Sequence, residues 1–348
     1  MYDSIIIGAG QAGLAIAYYL QQENQEFLLI DKAREIGESW KDRYDSLLLF
    51  TPRMYSSLPG LPIEGDGQGC PTKDEVVDYL KKYVETYTFP IHLNEEVINV
   101  AKENDEFLIE TNQREYKAKN VIVATGPFQT PKIPNFSKEL STNVLQLHSS
   151  QYKNSNQLVE GNVLVVGGGN SGAQIAVELS KVKETYLAVS KKPVYLPLEI
   201  NHKSIFWWFD KLGVLKVNRH SLLGKIIQKK GDPIFGLELK QAIKNKEIIM
   251  KQRVIGAKMS EIFFEADPSL KVRNIIWATG FKSTYPWLKI DGVLNQEGKV
   301  IHNRGETKIK GLYFIGLPWQ YRRGSALLQG VGEDASYIVR KITDGDLL

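Results

Sequence analysis

Two short stretches of the chain carry three glycines each at the spacing GxGxxG: Gly8, Gly10 and Gly13 in GAGQAG, and Gly167, Gly169 and Gly172 in GGGNSG. In such a stretch the first glycine makes a tight turn, the second lets backbone N–H groups approach a pyrophosphate, and the third lets helix and strand pack closely. The helix that follows presents its N-terminus to the phosphate anion. One copy alone is equally at home in a glycine-rich turn that holds nothing. Two copies, each directly after an apolar run (Ile5-Ile6-Ile7 and Val163-Leu164-Val165-Val166), point to two dinucleotides in one chain.

The residues at the ends of the next strands separate the two ligands. After the first copy, Phe27-Leu28-Leu29-Ile30 ends in Asp31, whose carboxylate accepts hydrogen bonds from a ribose with free hydroxyls and repels a 2′-phosphate, as suits FAD or NAD. After the second, Thr185 to Val189 ends in Ser190-Lys191-Lys192 with no acid. Two ammonium groups and a hydroxyl there suit the 2′-phosphate of NADPH, the alternative for the lysines being a solvated surface pair.

These groups must be positioned by two α/β units. A length of 348 residues fits two domains, and 43% hydrophobic content supplies two cores. No apolar run reaches the length needed to span a bilayer, and the chain enters a strand at once without a signal-like core, which places the protein in the cytoplasm. Cys70 is the single cysteine, so neither an intrachain disulfide nor a CxxC pair can form. A net charge of +4 from 44 basic and 40 acidic side chains gives no reason to expect nucleic acid. The five histidines, His92, His148, His202, His220 and His302, show no metal-ligand spacing.

Along the chain, the first βαβ unit leads into an irregular stretch from Gly37 to Cys70, the expected place for a flavin-side loop. Thr72 and Glu75 form a capping-box pattern ahead of the helical spacing of Val76, Val77, Leu80 and Val84. Alternating runs at 96–101 and 106–111 bracket Asn104-Asp105 and predict an antiparallel hairpin. Val121-Ile122-Val123 ends in Ala124-Thr125-Gly126, and Ile275-Ile276-Trp277 ends in Ala278-Thr279-Gly280. Residues 127–160 and 278–290 are the expected connections between the nucleotide units. A further apolar strand ending in Gly316 and a last helix from about Leu327 return the chain to the first unit. The expected fold is α/β with two Rossmann-like dinucleotide-binding domains, the NADPH domain inserted into a discontinuous FAD domain. Its parts are 1–156 (FAD), 157–275 (NADPH, with an insert at 195–250) and 276–348 (FAD).

This order of features resembles the class B flavin-dependent monooxygenases, the group of flavin-containing monooxygenases, plant indole-pyruvate monooxygenases and Baeyer–Villiger enzymes. The likeness runs over nearly the whole chain, through GAGQAG with Asp31, Gly37-Glu38-Ser39-Trp40, YSSLPG (55–60), ATGP (124–127), LHSSQY (147–152), GGGNSG, ATGF (278–281), GLYFIG (311–316) and GVGEDA (330–335). The short length is similar to the small bacterial members of cation-efflux-associated oxidoreductase type. Two family marks differ. In the pattern FxGxxxHxxxY, Thr142 and Val144 stand in place of Phe and Gly, leaving His148 and Tyr152. Ser57, before Leu58-Pro59, stands where flavin-containing monooxygenases carry an asparagine near the reactive flavin carbon; a hydroxyl can hydrogen-bond a peroxide but offers no amide fork.

The resemblance implies an enzyme in which NADPH reduces FAD, a C4a-hydroperoxide forms with O2, and one oxygen atom passes to a small nucleophilic (N- or S-) or carbonyl-type substrate. It implies FAD contacts at Gly8, Gly10, Gly13, Asp31, Lys32, Trp40, Arg43, Leu49, Thr51, Val97, Ala124, Thr125, Gly126, Gly316 and Gln329, with Ser57 as the catalytic candidate. NADPH contacts fall at Gly167, Gly169, Asn170, Ser171, Gly172, Ser190, Lys191, Lys192, Ala278, Thr279 and Gly280. Core packing serves Trp40 equally well, and a hydrogen-bonded hinge pair holding no ligand suits His148 and Tyr152 better than catalysis. Two rival readings stand beside the monooxygenase: a reductase or oxidase passing electrons to a quinone, metal or protein, and a redox-sensing flavoprotein without turnover. The segment Ile205-Phe206-Trp207-Trp208-Phe209 with its basic flanks from Lys203 to Lys230 is compatible with a peripheral membrane contact, a cover on the substrate entrance, a homodimer contact, or a hairpin capping its own domain.

Overall fold

The structure is a computed structural model describing residues 1–345. Its frame is two β-sheets, one mixed and one parallel, each carrying one glycine turn. In the first sheet the strands lie in the order 91–92, 27–30, 2–7, 115–123, 106–111, 97–103, and the strand Leu312–Phe314 also pairs with 115–123. The nine-residue strand Glu115–Val123 serves two environments, and its burial shows it. Its first half alternates exposed and covered residues where it joins the antiparallel hairpin of Val97–Glu103 and Glu106–Thr111. Its last residues, Asn120 to Val123, are all buried, with parallel strands on either side. Such continuous apolar burial is what helices covering both faces of a parallel sheet require.

The helix Gln11–Gln22 leaves the first glycine turn and packs against the last helix, Leu328–Gly345, over a core containing Leu14, Ile16, Leu20, Val331 and Ile338. The helix Lys73–Tyr87 begins with the expected capping box, Thr72 accepting from Glu75 N–H while Glu75 accepts from Thr72 N–H. Tyr79 and Tyr83 on this helix hold the irregular loop ahead of it. The Tyr79 hydroxyl accepts from Leu58 N–H and donates to the Leu61 carbonyl, and Tyr83 donates to the Pro59 carbonyl.

The second sheet is wholly parallel, in the order 248–251, 185–188, 163–166, 274–277, 145–148. Its edge strand Leu145–His148 precedes residue 157, so this strand of the chain's first part pairs in the second sheet. Between the sheets run two connections that pair with each other, Thr130–Pro131 against Phe281–Lys282. The insert at 195–250 contains the helices Ile205–Lys211, Leu222–Lys230 and Glu238–Lys244 and has a small core of Ile205, Phe206 and Phe235. Phe50, from the loop of the first unit, stacks on Phe235 with ring centroids 4.6 Å apart. Among the described residues, no helix is long and apolar enough to cross a membrane.

Candidate functional site

The strand register brings the two sets of turn residues to the carboxyl ends of their sheets, where open α/β sheets bind ligands. In the first sheet Ile7 lies opposite both Ile30 and Val123, and Val123 lies opposite Phe314. Gly8, Asp31, Ala124-Thr125-Gly126 and Gly316 therefore emerge side by side. In the second sheet Val166 lies opposite Ala188 and Trp277. Gly167, Ser190 and Ala278-Thr279-Gly280 share that edge in the same way.

The glycines divide into those the fold needs and those it does not. Gly8 has φ +109°, and a Cβ there would sit 2.7 Å from the Ala124 carbonyl oxygen. A Cβ on Gly13 would lie 1.9 Å from the Gly8 carbonyl oxygen. The second copy repeats this: Gly167 has φ +127° with a Cβ 2.2 Å from Ala278 O, and a Gly172 Cβ would lie 2.1 Å from Gly167 O. The middle glycines differ. Gly10 and Gly169 have ordinary extended backbone (φ −78° and −86°), and a Cβ on either would meet nothing within 4 Å. Each caps a helix N-terminus with no side-chain cap, which leaves the first-turn N–H groups for an anion such as a pyrophosphate.

Asp31 is held by backbone donors, its Oδ2 accepting from Ala9 N–H and its Oδ1 from Ala33 N–H at 2.8 Å. A carboxylate has about four lone-pair sites, so acceptor capacity remains for a ribose. Lys32 is exposed beside Glu96, their charged atoms 3.9 Å apart. Lys191 and Lys192 are exposed and, among the described residues, take part in no ion pair, which leaves both ammonium groups available.

Around the first turn, Trp40 donates from Nε1 to Gln11 Oε1 at 3.1 Å while packing on the first core, and Gln11 donates onward to the Ala326 carbonyl. Leu49 packs on the same core, and Thr51 is buried with its carbonyl accepting from Ser56. Val97 is buried in the hydrophobic cluster on the opposite face of the first sheet. Gly316, with φ +77°, rests on Ala12. Gln329 lines a cavity of about 120 Å³ together with Tyr55, Asp210, Lys216, Arg322 and Glu333. The Ser57 hydroxyl is engaged within its own loop, donating to the Arg53 carbonyl at 3.4 Å and accepting from Ile63 N–H at 3.0 Å. In the second unit the Asn170 side chain is committed to the insert, donating to Pro233 O at 3.0 Å and accepting from Phe235 N–H at 2.9 Å. The Asn170 backbone N–H, in the first turn of its helix, is what remains for a ligand.

His148 and Tyr152 are both fully buried; the Tyr152 N–H donates to the His148 carbonyl at 3.1 Å, and their side chains turn to different partners. His148 donates from Nε2 to the Gly280 carbonyl at 3.0 Å, and its Nδ1 accepts from Ser150 N–H. Burial holds its pKa below the usual histidine value, with Arg43 adding to the effect, so the ring is neutral with its proton on Nε2. Tyr152 donates to Glu178 at 2.7 Å. The pair ties the hinge to the second unit. Arg43 stands across the same hinge, its guanidinium 4.7 Å from the Phe128 ring and 5.2 Å from the Phe281 ring, one aromatic from each connection.

Three positioning residues are not among the expected site residues, although Asp334 lies in the GVGEDA stretch (330–335). Asp334 is fully buried and accepts from Arg304 Nε at 2.9 Å, while the Arg304 guanidinium lies over Tyr321 and Tyr337. Burial pushes the Asp334 carboxyl up, and Ser325 and Arg304 oppose that shift. Gln320 donates to the Arg304 and Phe314 carbonyls. Together they fix the segment 316–328 against the last helix. The tertiary contacts alone give Arg304 and Gln320 this role, and they explain the acid in GVGEDA.

With this geometry in place, comparison with known proteins gives a consistent picture. Residues 5–196 match the family model described as pyridine nucleotide-disulphide oxidoreductase. The chain is 65% identical over 342 residues, 98% of its length and 99% of the other, to the protein named uncharacterized oxidoreductase CzcO of Bacillus subtilis (strain 168). It is 28% identical to the probable indole-3-pyruvate monooxygenase YUCCA4 of Arabidopsis thaliana, covering 98% of this chain and 89% of that one. Its fold superposes on the flavin-containing monooxygenase from Stenotrophomonas maltophilia with a TM-score of 0.84 at 24% identity, covering 99% and 98% of the two chains.

Proposed function

The chain belongs to the pyridine nucleotide-disulphide oxidoreductase family, and we propose that within it this protein is an FAD-dependent, NADPH-consuming monooxygenase. It would add one oxygen atom of O2 to a small amine, thioether or carbonyl-type substrate. The observation that carries the reading is the pair of matching glycine cradles, open at Gly10 and Gly169, with an acid at one ribose position and two free lysines at the other. With Cys70 as the single cysteine, the chain has no dithiol pair of its own for disulphide exchange.

When bound, NADPH supplies a hydride, and FAD supplies hydride acceptance and dioxygen activation. The chain's part is binding, orientation and exclusion of water. The first-turn N–H groups beyond Gly10 take the FAD pyrophosphate and Asp31 its ribose; the segment from Gly316 to Gln329, fixed by Gln320 and Arg304, borders the flavin. The first sheet with its helices, and the return segment from Gly311 through the last helix, form the FAD part; the strand 145–148, expected within it, belongs instead to the second sheet because it pairs with 274–277. The second sheet, from its edge strand 145–148 to the strand 274–277, forms the NADPH part together with the insert, and Gly169 and the helix after it would hold the pyrophosphate and Ser190, Lys191 and Lys192 the 2′-phosphate. The site of action is the cytoplasm.

One observation favours a second reading. The Ser57 hydroxyl is already engaged by Arg53 and Ile63, so this residue would bring no free hydrogen-bond donor to a bound flavin, as suits a reductase or oxidase that releases peroxide. Turnover under ¹⁸O2 with a panel of amines, thioethers and ketones separates the two. The monooxygenase reading expects one labelled oxygen in a product per NADPH consumed. Stoichiometric hydrogen peroxide with no labelled product from any class would overturn it in favour of the oxidase.

A further inference from the structure

The insert carries a surface that the redox site does not use. Its helix Leu222–Lys230 lies with Gly224 against the Asn218 carbonyl, where a Cβ would come within 2.0 Å, so that side faces the protein. Leu222, Leu223 and Ile226 fall within an arc of about 100° on the other side. They are 82%, 50% and 52% exposed, and Leu212 nearby is 73% exposed. Scattered exposed leucines need no explanation, but three exposed apolar side chains on one side of a single helix make an apolar face, and Leu212 is a fourth exposed apolar residue of the same insert.

The charge of the same segment is one-sided. From Lys203 to Lys230 seven lysines and arginines stand against one acid, Asp210, giving +6 in a chain whose total is +4, so the remaining residues carry −2. Asp210 is turned to the protein, accepting from the Tyr55 hydroxyl at 3.3 Å. Lys225 and Lys229 are exposed on the edge of the apolar arc, with Lys230 at the helix end, and the ammonium groups of Lys203 and Lys211 lie about the half-exposed Trp207 ring.

We propose that this face of the insert docks on an anionic lipid bilayer, with Leu212, Leu222, Leu223 and Ile226 entering the headgroup boundary and the surrounding lysines meeting lipid phosphates. An apolar strip bordered by lysines is the pattern of an interfacial helix. A second copy of the chain fits poorly, since a two-fold contact through this face would set the same lysines against one another. The insert is firmly seated: Arg219 N–H donates to the Tyr321 carbonyl at 2.7 Å, its guanidinium to the Trp319 carbonyl at 3.2 Å, and Arg323 pairs with Asp232 at 2.8 Å. The same insert contributes Asp210, Leu215 and Lys216 to the cavity it shares with Tyr55 and Gln329.

Flotation of the FAD-loaded protein with vesicles of phosphatidylcholine alone, and of phosphatidylcholine with a third phosphatidylglycerol, tests this. The protein is expected to float with the anionic vesicles at low salt, to be released at high salt, and to stay behind with neutral ones. Lys225→Ala with Lys229→Ala should weaken partitioning about 25-fold, roughly fivefold per lysine. Leu222→Ser with Ile226→Ser should abolish it. Unchanged flavin absorbance and thermal midpoint in both variants show that the fold is intact, as expected for exposed positions. Failure to float with anionic vesicles, equal flotation with neutral ones, or wild-type binding by the folded variants would overturn the proposal. So would a concentration-dependent dimer lost on Leu222→Ser with Ile226→Ser, which assigns the face to a second copy.

Discussion

Replacing the middle glycine of each cradle by alanine tests whether the openings at Gly10 and Gly169 exist for ligands. The backbone at both positions is allowed for any residue, and the added methyl meets no protein atom within 4 Å. Alanine is a poorer helix N-cap than glycine, while loss of glycine's freedom in the unfolded chain gains about 0.4–1 kcal/mol. These effects nearly cancel, so apoprotein stability should move by less than about 1 kcal/mol. A pyrophosphate held by the first-turn N–H groups would instead be pushed outward. Losing one charge-assisted hydrogen bond costs roughly 1.5–3 kcal/mol, a factor of about 10 to 150 in affinity. Gly10→Ala should therefore yield a folded protein that has lost FAD on purification, and Gly169→Ala a yellow protein whose KM for NADPH rises by that factor. The internal control is Gly13→Ala, whose Cβ would lie 1.9 Å from the Gly8 carbonyl and should cost soluble yield. Flavin content from absorbance, urea midpoints and steady-state NADPH oxidation are the measurements. If Gly10→Ala binds FAD with wild-type affinity, or unfolds as readily as Gly13→Ala, the division of labour among the glycines is refuted.

Lys191→Ala with Lys192→Ala should raise the KM for NADPH by about 10- to 100-fold while leaving that for NADH within about twofold, because only the 2′-phosphate is concerned; equal effects on both nucleotides would count against the assignment. His302 gives a pH dependence: burial, with Arg219 and His220 adding, lowers its pKa from 6.5 to about 4 in the folded protein. Between those values the unfolded chain binds a proton that the folded one does not, so stability is complete above about pH 6.5 and falls toward pH 4. The loss at pH 5 from this residue is about 2 kcal/mol, and urea midpoints of His302→Gln at pH 7.5 and 5 should show a correspondingly smaller decline than wild type. Ser57→Ala, with the hydroxyl bonded inside its loop, should cost about 1 kcal/mol of stability and change kcat less than about threefold; a tenfold fall in kcat at unchanged stability would restore the hydroxyl to the chemistry.

The elements legible in the sequence are those whose signal is local. The two glycine turns, the strands before them, the Thr72–Glu75 capping box and the 97–111 hairpin all arise from spacings of a few residues, and each forms as read. The placement of Asp31, Lys191 and Lys192 just beyond strand ends was legible for the same reason, since a strand end is fixed by the motif before it. Tertiary structure decided what depends on partners far along the chain. The strand 145–148 joins the second sheet because its hydrogen-bonding neighbour is 274–277, which no local pattern names. Asn170, read as a nucleotide ligand, gives its amide to Pro233 and Phe235 in the insert, and Arg43 is framed by two phenylalanines more than 150 residues apart. The three glycines of each motif look alike in sequence. What tells them apart is the distance from each missing Cβ to its neighbours, and at Gly8 and Gly167 the crowding comes from carbonyls more than a hundred residues away, at Ala124 and Ala278.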